Sequence, residues 1–278
     1  MTPDRSNRSA TGVFILLYHA LDSPSEPAAV SSAADLSVVV HADQFAAQLR
    51  CLVEMGRQVV SLDHVLTSSP ALPAVPATAP VVLTFDDGHR SNWSLALPRL
   101  LEAGAAATFY VVAGFVDKLP DYLTSSQLRE LAAAGMSVGS HGMSHRFLPQ
   151  LAPKVVHLEL ADSRARLEDL LGRPVLDFAL PGGHFDRRVI EAIRACGYRS
   201  VATCKVGTYR PGGDPFRLPR LEIRRGLSPE GFRSTFTRSK VRQLQLLEAA
   251  KSCLRTTCGL SVYTGLRRLA HRCFRLHR

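Results

Sequence analysis

Asp86 and Asp87 stand side by side at the end of the apolar run Val81-Val82-Leu83-Thr84-Phe85 and are followed by Gly88. Such a run suits a buried strand of a parallel sheet. In α/β proteins the carboxyl ends of the strands open onto the ligand site. Neighbours in extended backbone point to opposite sides. One aspartate can therefore bind a metal while the other stays free as a base. Further along comes Gly139-Ser140-His141-Gly142-Met143-Ser144-His145, with two histidines four apart. That spacing puts both rings on one face of a helical turn. Imidazole is a common ligand for zinc and neighbouring metals. Two histidines and one carboxylate leave coordination positions open for water and substrate, as a catalytic site needs. Taken singly, D-D-G is also an ordinary turn and H-x-x-x-H also a pair of surface histidines. Asp87 as a third ligand joins the two motifs into one site.

Three segments carry a resemblance: T-F-D-D-G at Thr84–Gly88, S-H-G-M-S-H at Ser140–His145 and F-A-L-P-G-G at Phe178–Gly183. In this order and spacing they resemble the polysaccharide deacetylases of the NodB-homology type, carbohydrate esterase family 4, from about Gly12 to Arg225. The resemblance implies a distorted (β/α) barrel, a divalent metal on Asp87, His141 and His145, and hydrolysis of N-acetyl groups from sugars. Zinc suits that donor set. The chemistry needs an activated water, a polarised carbonyl and a proton for the departing amine. Asp86 is the expected general base, by its place beside the metal and by family precedent. The resemblance gives the Gly182 N–H the task of holding the oxyanion, although P-G-G is equally an ordinary tight turn.

The departures matter. Many relatives carry an arginine two residues before the motif proline, where this chain has Ala179. Many carry a late Leu-x-His segment supplying the general acid, but Arg217–Arg225 reads R-L-P-R-L-E-I-R-R. An F-A-x-P-x-G variant with an early Tyr-His pair occurs in the branch that acts on bacterial exopolysaccharides, which this chain resembles better. His19, after Tyr18, then becomes the candidate acid, with a structural histidine as the other reading. His184 is the second candidate. His89 is expected to be solvent-facing or structural.

Strand–helix units must position these groups. Strands are expected over Val13–His19, Gln58–Leu62, Val81–Phe85, Ala107–Val112, Met136–Gly139, Val175–Ala179 and Ser200–Cys204. Helices are expected over Ala42–Met55, Trp93–Ala103, Thr124–Ala134, Lys154–Leu171 and Arg187–Cys196. Thr124 and Gln127 form a capping pattern. Proline-rich residues 68–80 read as a surface connection. Units that repeat with motifs at successive strand ends favour an α/β barrel.

At 278 residues, 46% hydrophobic and 21% charged, the chain has room for one large domain and an appendage. The division expected is a flexible 1–11, a deacetylase domain over 12–225 and a basic helical tail over 226–278. The net charge of +10 is uneven: residues 224–278 hold 13 Lys and Arg against 2 Asp and Glu, a net of +11, leaving −1 for the rest. In the tail Val241, Leu244, Leu247, Ala250 and Leu254 recur at helical spacing, then Val262, Leu266, Leu269, Cys273 and Leu276 beside Arg267, Arg268, Arg272 and Arg275. A basic amphipathic stretch reads as membrane-surface binding or as a helix packed on the barrel. With few aromatics and no nucleic-acid motif, no nucleic-acid partner is expected. The six cysteines show no C-x-x-C pair and no disulfide framework. There is no signal-peptide core and no run approaching a membrane span. The expected compartment is the cytoplasm, peripheral to the inner face of the membrane. The expected partner is an N-acetylated glycan, lipid-linked forms included. The functional alternatives are another metal-dependent amidohydrolase or esterase, and a non-catalytic glycan-binding module of the same fold.

Overall fold

The computed structural model describes residues 12–28, 36–67 and 78–250. Nine strands are present among them: β1 Phe14–Tyr18, β2 Leu21–Asp22, β3 Val40–His41, β4 Val81–Phe85, β5 Ala107–Val111, β6 Ser137–Ser140, β7 Asp177–Ala179, β8 Ser200–Ala202 and β9 Leu221–Glu222. Seven form one parallel sheet in the order β8-β7-β6-β5-β4-β1-β9; β2 and β3 pair separately. The segment leading into β9 also reaches β8: the Leu218 N–H donates to the Val201 carbonyl, 2.9 Å, and the Thr203 N–H to the Leu218 carbonyl, 2.9 Å. Residues 218–223 thus touch both edges of the sheet and draw it into a distorted barrel.

β4 shows the two faces. Val81, Leu83 and Phe85 join the large core under the helices, while Val82 packs in a smaller inner cluster with Ile15, Tyr110 and Ala179. The period of two makes Val82, Thr84 and Asp86 an inward series. On the outer face Phe85 stacks between Tyr18 and Phe109, with centroids 5.2 Å and 4.9 Å away.

The helices are α1 Ala42–Glu54, α2 Leu62–Thr67, α3 Leu97–Glu102, α4 Ser125–Ala133, α5 Pro153–Leu171, α6 Arg187–Ala195 and α7 Pro229–Thr235. Thr124 and Gln127 form the expected capping box. The helix expected from Trp93 starts instead as a π-helical turn, Asn92–Ala96, that runs into α3. The strand expected over Gln58–Leu62 reduces to a bridge between Val59 and Val81, because Leu62 already opens α2.

Packing continues past residue 225. Phe232, Phe236 and Val241 are buried in the main core; Phe236 meets Phe14 edge-on at 5.0 Å, under the Arg57 guanidinium. Residues 238–250 are helical. This helix is fastened to the loop after β8, where Glu248 pairs with Lys205 at 3.0 Å and accepts the Val206 N–H at 2.9 Å. Of the first apolar stripe, Val241 and Leu244 face the barrel, while Leu247 and Ala250 are exposed. Leu254, the second stripe and its arginines lie outside the described residues, as do 1–11 and most of the 68–80 connection. Cys51, Cys196 and Cys204 are free thiols. No helix among the described residues is long and apolar enough to cross a membrane.

Candidate metal centre and active site

The strand ends deliver the groups. Beyond β4 the ladder continues for one residue, the Asp86 N–H donating to the Tyr18 carbonyl at 2.9 Å. Asp86 thereby keeps the inward orientation of Val82 and Thr84. The strand then breaks. Asp87 adopts a left-handed φ of 74° and Gly88 one of 78°. A side chain at Gly88 would strike Val111, whose Cγ1 lies 2.9 Å from the position of a Cβ. The expected pointing to opposite sides is not what the chain adopts: with the left-handed turn at Asp87 both carboxylates approach His141 Nε2, Asp86 Oδ2 at 3.9 Å and Asp87 Oδ1 at 3.4 Å.

Asp87 Oδ1 lies 3.4 Å from His141 Nε2 and 3.3 Å from His145 Nε2. It is buried without a hydrogen-bond partner. His141 follows β6, its N–H bonded to the Val111 carbonyl at 2.8 Å. Its Nδ1 is 2.9 Å from the Ala179 carbonyl. A carbonyl only accepts, so Nδ1 carries the proton and Nε2 presents a bare lone pair toward Asp87. The helical turn expected for H-x-x-x-H is absent. Residues 141–146 form a loop, with Gly142 at φ 82° and His145 at φ 57°, and this loop swings the second ring back to within 5.0 Å of the first. One carboxylate oxygen and two imidazole nitrogens converge within 4.8 Å of one another. This donor set fits a divalent cation.

Asp86 faces a group that the motifs do not announce. Arg220 donates from both terminal nitrogens to the two Asp86 oxygens, each at 2.7 Å, and from Nε to the Thr203 carbonyl at 2.9 Å. Both side chains are buried. Arg220 reaches inward from the segment that bridges the sheet edges, immediately before β9. Burial pushes the Asp86 carboxyl up, but the charges of Arg220 and His141 outweigh it and hold the carboxyl below its ordinary range. Burial pushes Asp87 up as well, and its contacts with His145 and His89 bring it well below that range. Burial lowers His141 despite the two aspartates, whereas the contact with Asp87 raises His145.

His19 lies near enough for its charge to lower both carboxyls. Its carbonyl is held by Asn92 Nδ2 at 2.9 Å, and its Nδ1 is buried without a partner. Gly182 sits exposed beyond β7 at φ 64°, where a Cβ would come 2.5 Å from Phe147 Cε1. The neighbouring Gly183 N–H is committed to the Leu180 carbonyl at 2.8 Å. Pro181 abuts Gly142 of the histidine loop. His184 is exposed and lies edge-on to Phe147. His89 does not face solvent: its Nε2 is 3.4 Å from Asp87 Oδ2, and its ring stacks on Tyr122.

Residues 75–201 match the family model "Polysaccharide deacetylase". The chain is 26% identical over 221 residues to the Bacillus subtilis protein named "Putative polysaccharide deacetylase YxkH", covering 78% of this chain and 74% of that one. Among solved structures, the Streptococcus pyogenes deacetylase PplD, in complex with acetate, superposes with a TM-score of 0.70 at 29% identity, covering 81% of this chain and 98% of that one. IcaB from Ammonifex degensii shares the fold, with a TM-score of 0.70 at 24% identity over 84% of this chain and 98% of its own.

Proposed function

Since the chain carries a polysaccharide deacetylase domain of the NodB-homology type, we propose that it is a metal-dependent hydrolase that removes acetyl groups from the N-acetylated sugars of a poly- or oligosaccharide. The observation that carries the reading is Asp87 Oδ1, buried and partnerless between two imidazole nitrogens, next to a second aspartate tethered by arginine. Asp87, His141 and His145 would hold the metal, with zinc the ion that best suits them. Such an ion lowers the pKa of water and polarises a carbonyl.

The chain's own residues divide the remaining work. Asp86 takes the proton from the attacking water. Arg220 keeps that carboxylate ionised and fixes its plane by the two-pronged contact. The water oxygen bonds to the acetyl carbon, and the Gly182 N–H stabilises the charge that develops on the carbonyl oxygen. The C–N bond breaks as His19 delivers a proton to the departing nitrogen. Acetate and a free sugar amine result. A glycan-binding module has no need of a carboxylate held ionised beside a metal, as Arg220 holds Asp86.

The test is acetate release from a panel of N-acetylated glycans, with and without chelator, followed by addition of Zn²⁺. Chelator-sensitive release restored by the metal is expected. Release indifferent to chelation, or none from any N-acetylated glycan, would overturn the reading.

A further inference from the structure

The loop that carries His145 is gripped from two sides, and one helix supplies the first grip and braces the second. Glu159, buried on α5, accepts the N–H groups of Met143 and Ser144 at its Oε2, both at 2.9 Å. Its other oxygen accepts the Ser144 hydroxyl. The carbonyls of the same loop point the opposite way. The Ala113 N–H donates to the Gly142 carbonyl at 3.0 Å and the Gly114 N–H to the Met143 carbonyl at 2.9 Å. That second support is itself tied to α5: Arg166, about two turns beyond Glu159, donates to the Ala113 and Val116 carbonyls at 2.9 and 3.1 Å. Between these grips His145 holds its left-handed φ of 57°, a conformation that costs a side-chain-bearing residue roughly 1–2 kcal/mol. Such a conformation persists only where its surroundings over-determine it. None of these bonds touches the imidazole, so they act on where the backbone presents it.

We propose that Glu159 is a positioning residue of the metal centre, holding the loop 142–145 in the one shape that aims His145 Nε2 at Asp87. This rests on the metal reading above. A carboxylate suits the task because a single oxygen can accept two adjacent N–H groups while the other takes a hydroxyl. Glutamine keeps an oxygen for the two N–H groups and can donate its amide to Ser144 Oγ, so it should rescue most of the function that alanine loses.

The test measures Zn²⁺ affinity by competition with a chromophoric chelator, and the visible spectrum of the Co²⁺-loaded protein. Wild type, Asp87→Ala, Glu159→Ala, Glu159→Gln, Ser144→Ala and Glu168→Gln are compared at a temperature where each is folded. Glu168 serves as a control on the same helix: it binds Arg164 and the Val175 N–H, both at 2.9 Å, away from the loop. The expected result for Glu159→Ala is a loss of about ten- to a hundred-fold in affinity, the range for partners that orient metal ligands, with a shifted Co²⁺ spectrum. Glu159→Gln should lie near wild type, and Ser144→Ala between. Glu168→Gln should melt earlier with unchanged affinity. A folded Glu159→Ala that binds Zn²⁺ as wild type does, with the same Co²⁺ spectrum, would overturn the proposal. If that variant does not fold, wild-type affinity in Ser144→Ala overturns it. Asp87→Ala separates the two readings: wild-type Zn²⁺ affinity in that variant would overturn the metal centre itself, and the brace with it.

Discussion

The two neighbouring aspartates are given different tasks by what faces them, and substitution should separate those tasks. Asp86→Asn keeps the shape but gives up the proton acceptor. It should retain metal while turnover falls by roughly 10²–10⁴-fold. Asp87→Ala should lose metal and hydrolysis together. Metal analysis beside acetate release checks both, and a metal-free Asp86→Asn would reverse the assignment. His19→Ala should keep its metal, hydrolyse the amide poorly and spare an activated ester, whose leaving group needs little protonation. Equal losses on both substrates would make His19 structural and bring His184 forward. Arg220→Met leaves Asp86 buried without its counter-charge, which typically costs about 3–5 kcal/mol. The sign with pH follows from the depressed Asp86 carboxyl. The pair's contribution is complete above the unfolded pKa, near 4, and fades as pH falls through the lower folded value. Urea midpoints of wild type and Arg220→Met should therefore differ most at neutral pH and converge in acid.

At the scale of elements, β6 fits tightly against its neighbours. A Cβ at Gly139 would lie 2.5 Å from the Tyr110 ring and 2.8 Å from the Asp177 carbonyl. Gly139→Ala should cost about 1–3 kcal/mol by overpacking, read as a lowered thermal midpoint, and should disturb His141 two residues on. The end of β4 was legible in the sequence because hydrophobicity marks a buried parallel strand and acids mark its mouth: Val81–Phe85 runs into Asp86. The strand expected over Met136–Gly139 is shifted by one residue to Ser137–Ser140, where only Val138 is apolar. The geometry between elements was less legible. A four-residue spacing fits a helix, but Gly142 and His145 in left-handed conformations produce the same convergence in a loop. Arg220 was hidden because its partner lies 134 residues away. Its one local signal was a charge amid Leu218, Leu221 and Ile223, all of them buried. Glu159 looks like one more acid on an amphipathic helix; only the tertiary approach of α5 to the histidine loop gives it a role.

For the whole molecule, the distribution of charge leads to a proposal about location. Residues 251–278 contain seven Lys and Arg and no acid. Basic residues near an anionic leaflet contribute roughly 1 kcal/mol each, screened by salt. We propose that this segment gives the protein an affinity for anionic membrane. Full-length protein should co-sediment with phosphatidylserine-containing vesicles at low salt and release as salt rises. A version ending at 250 should stay in the supernatant. That cut is preferable to one at 225, which would strip Phe232, Phe236 and Val241 from the core. Full-length protein that ignores the vesicles at low salt would end the proposal.

The segment that touches both sheet edges also imposes an order of events on synthesis. The aspartates and histidines leave the ribosome well before Arg220 does, and domains tend to fold from the amino end as they emerge. Until residue 220 is out, Asp86 lacks the guanidinium that grips both of its oxygens, and the last gap between β8 and β1 stays open to water. The nascent chain can assemble its strands but cannot seal a charged carboxylate inside them. Completion of the base and closure of the ring are therefore one step, taken late, and a chain that stalls before it holds most of a catalytic site in an unfinished barrel.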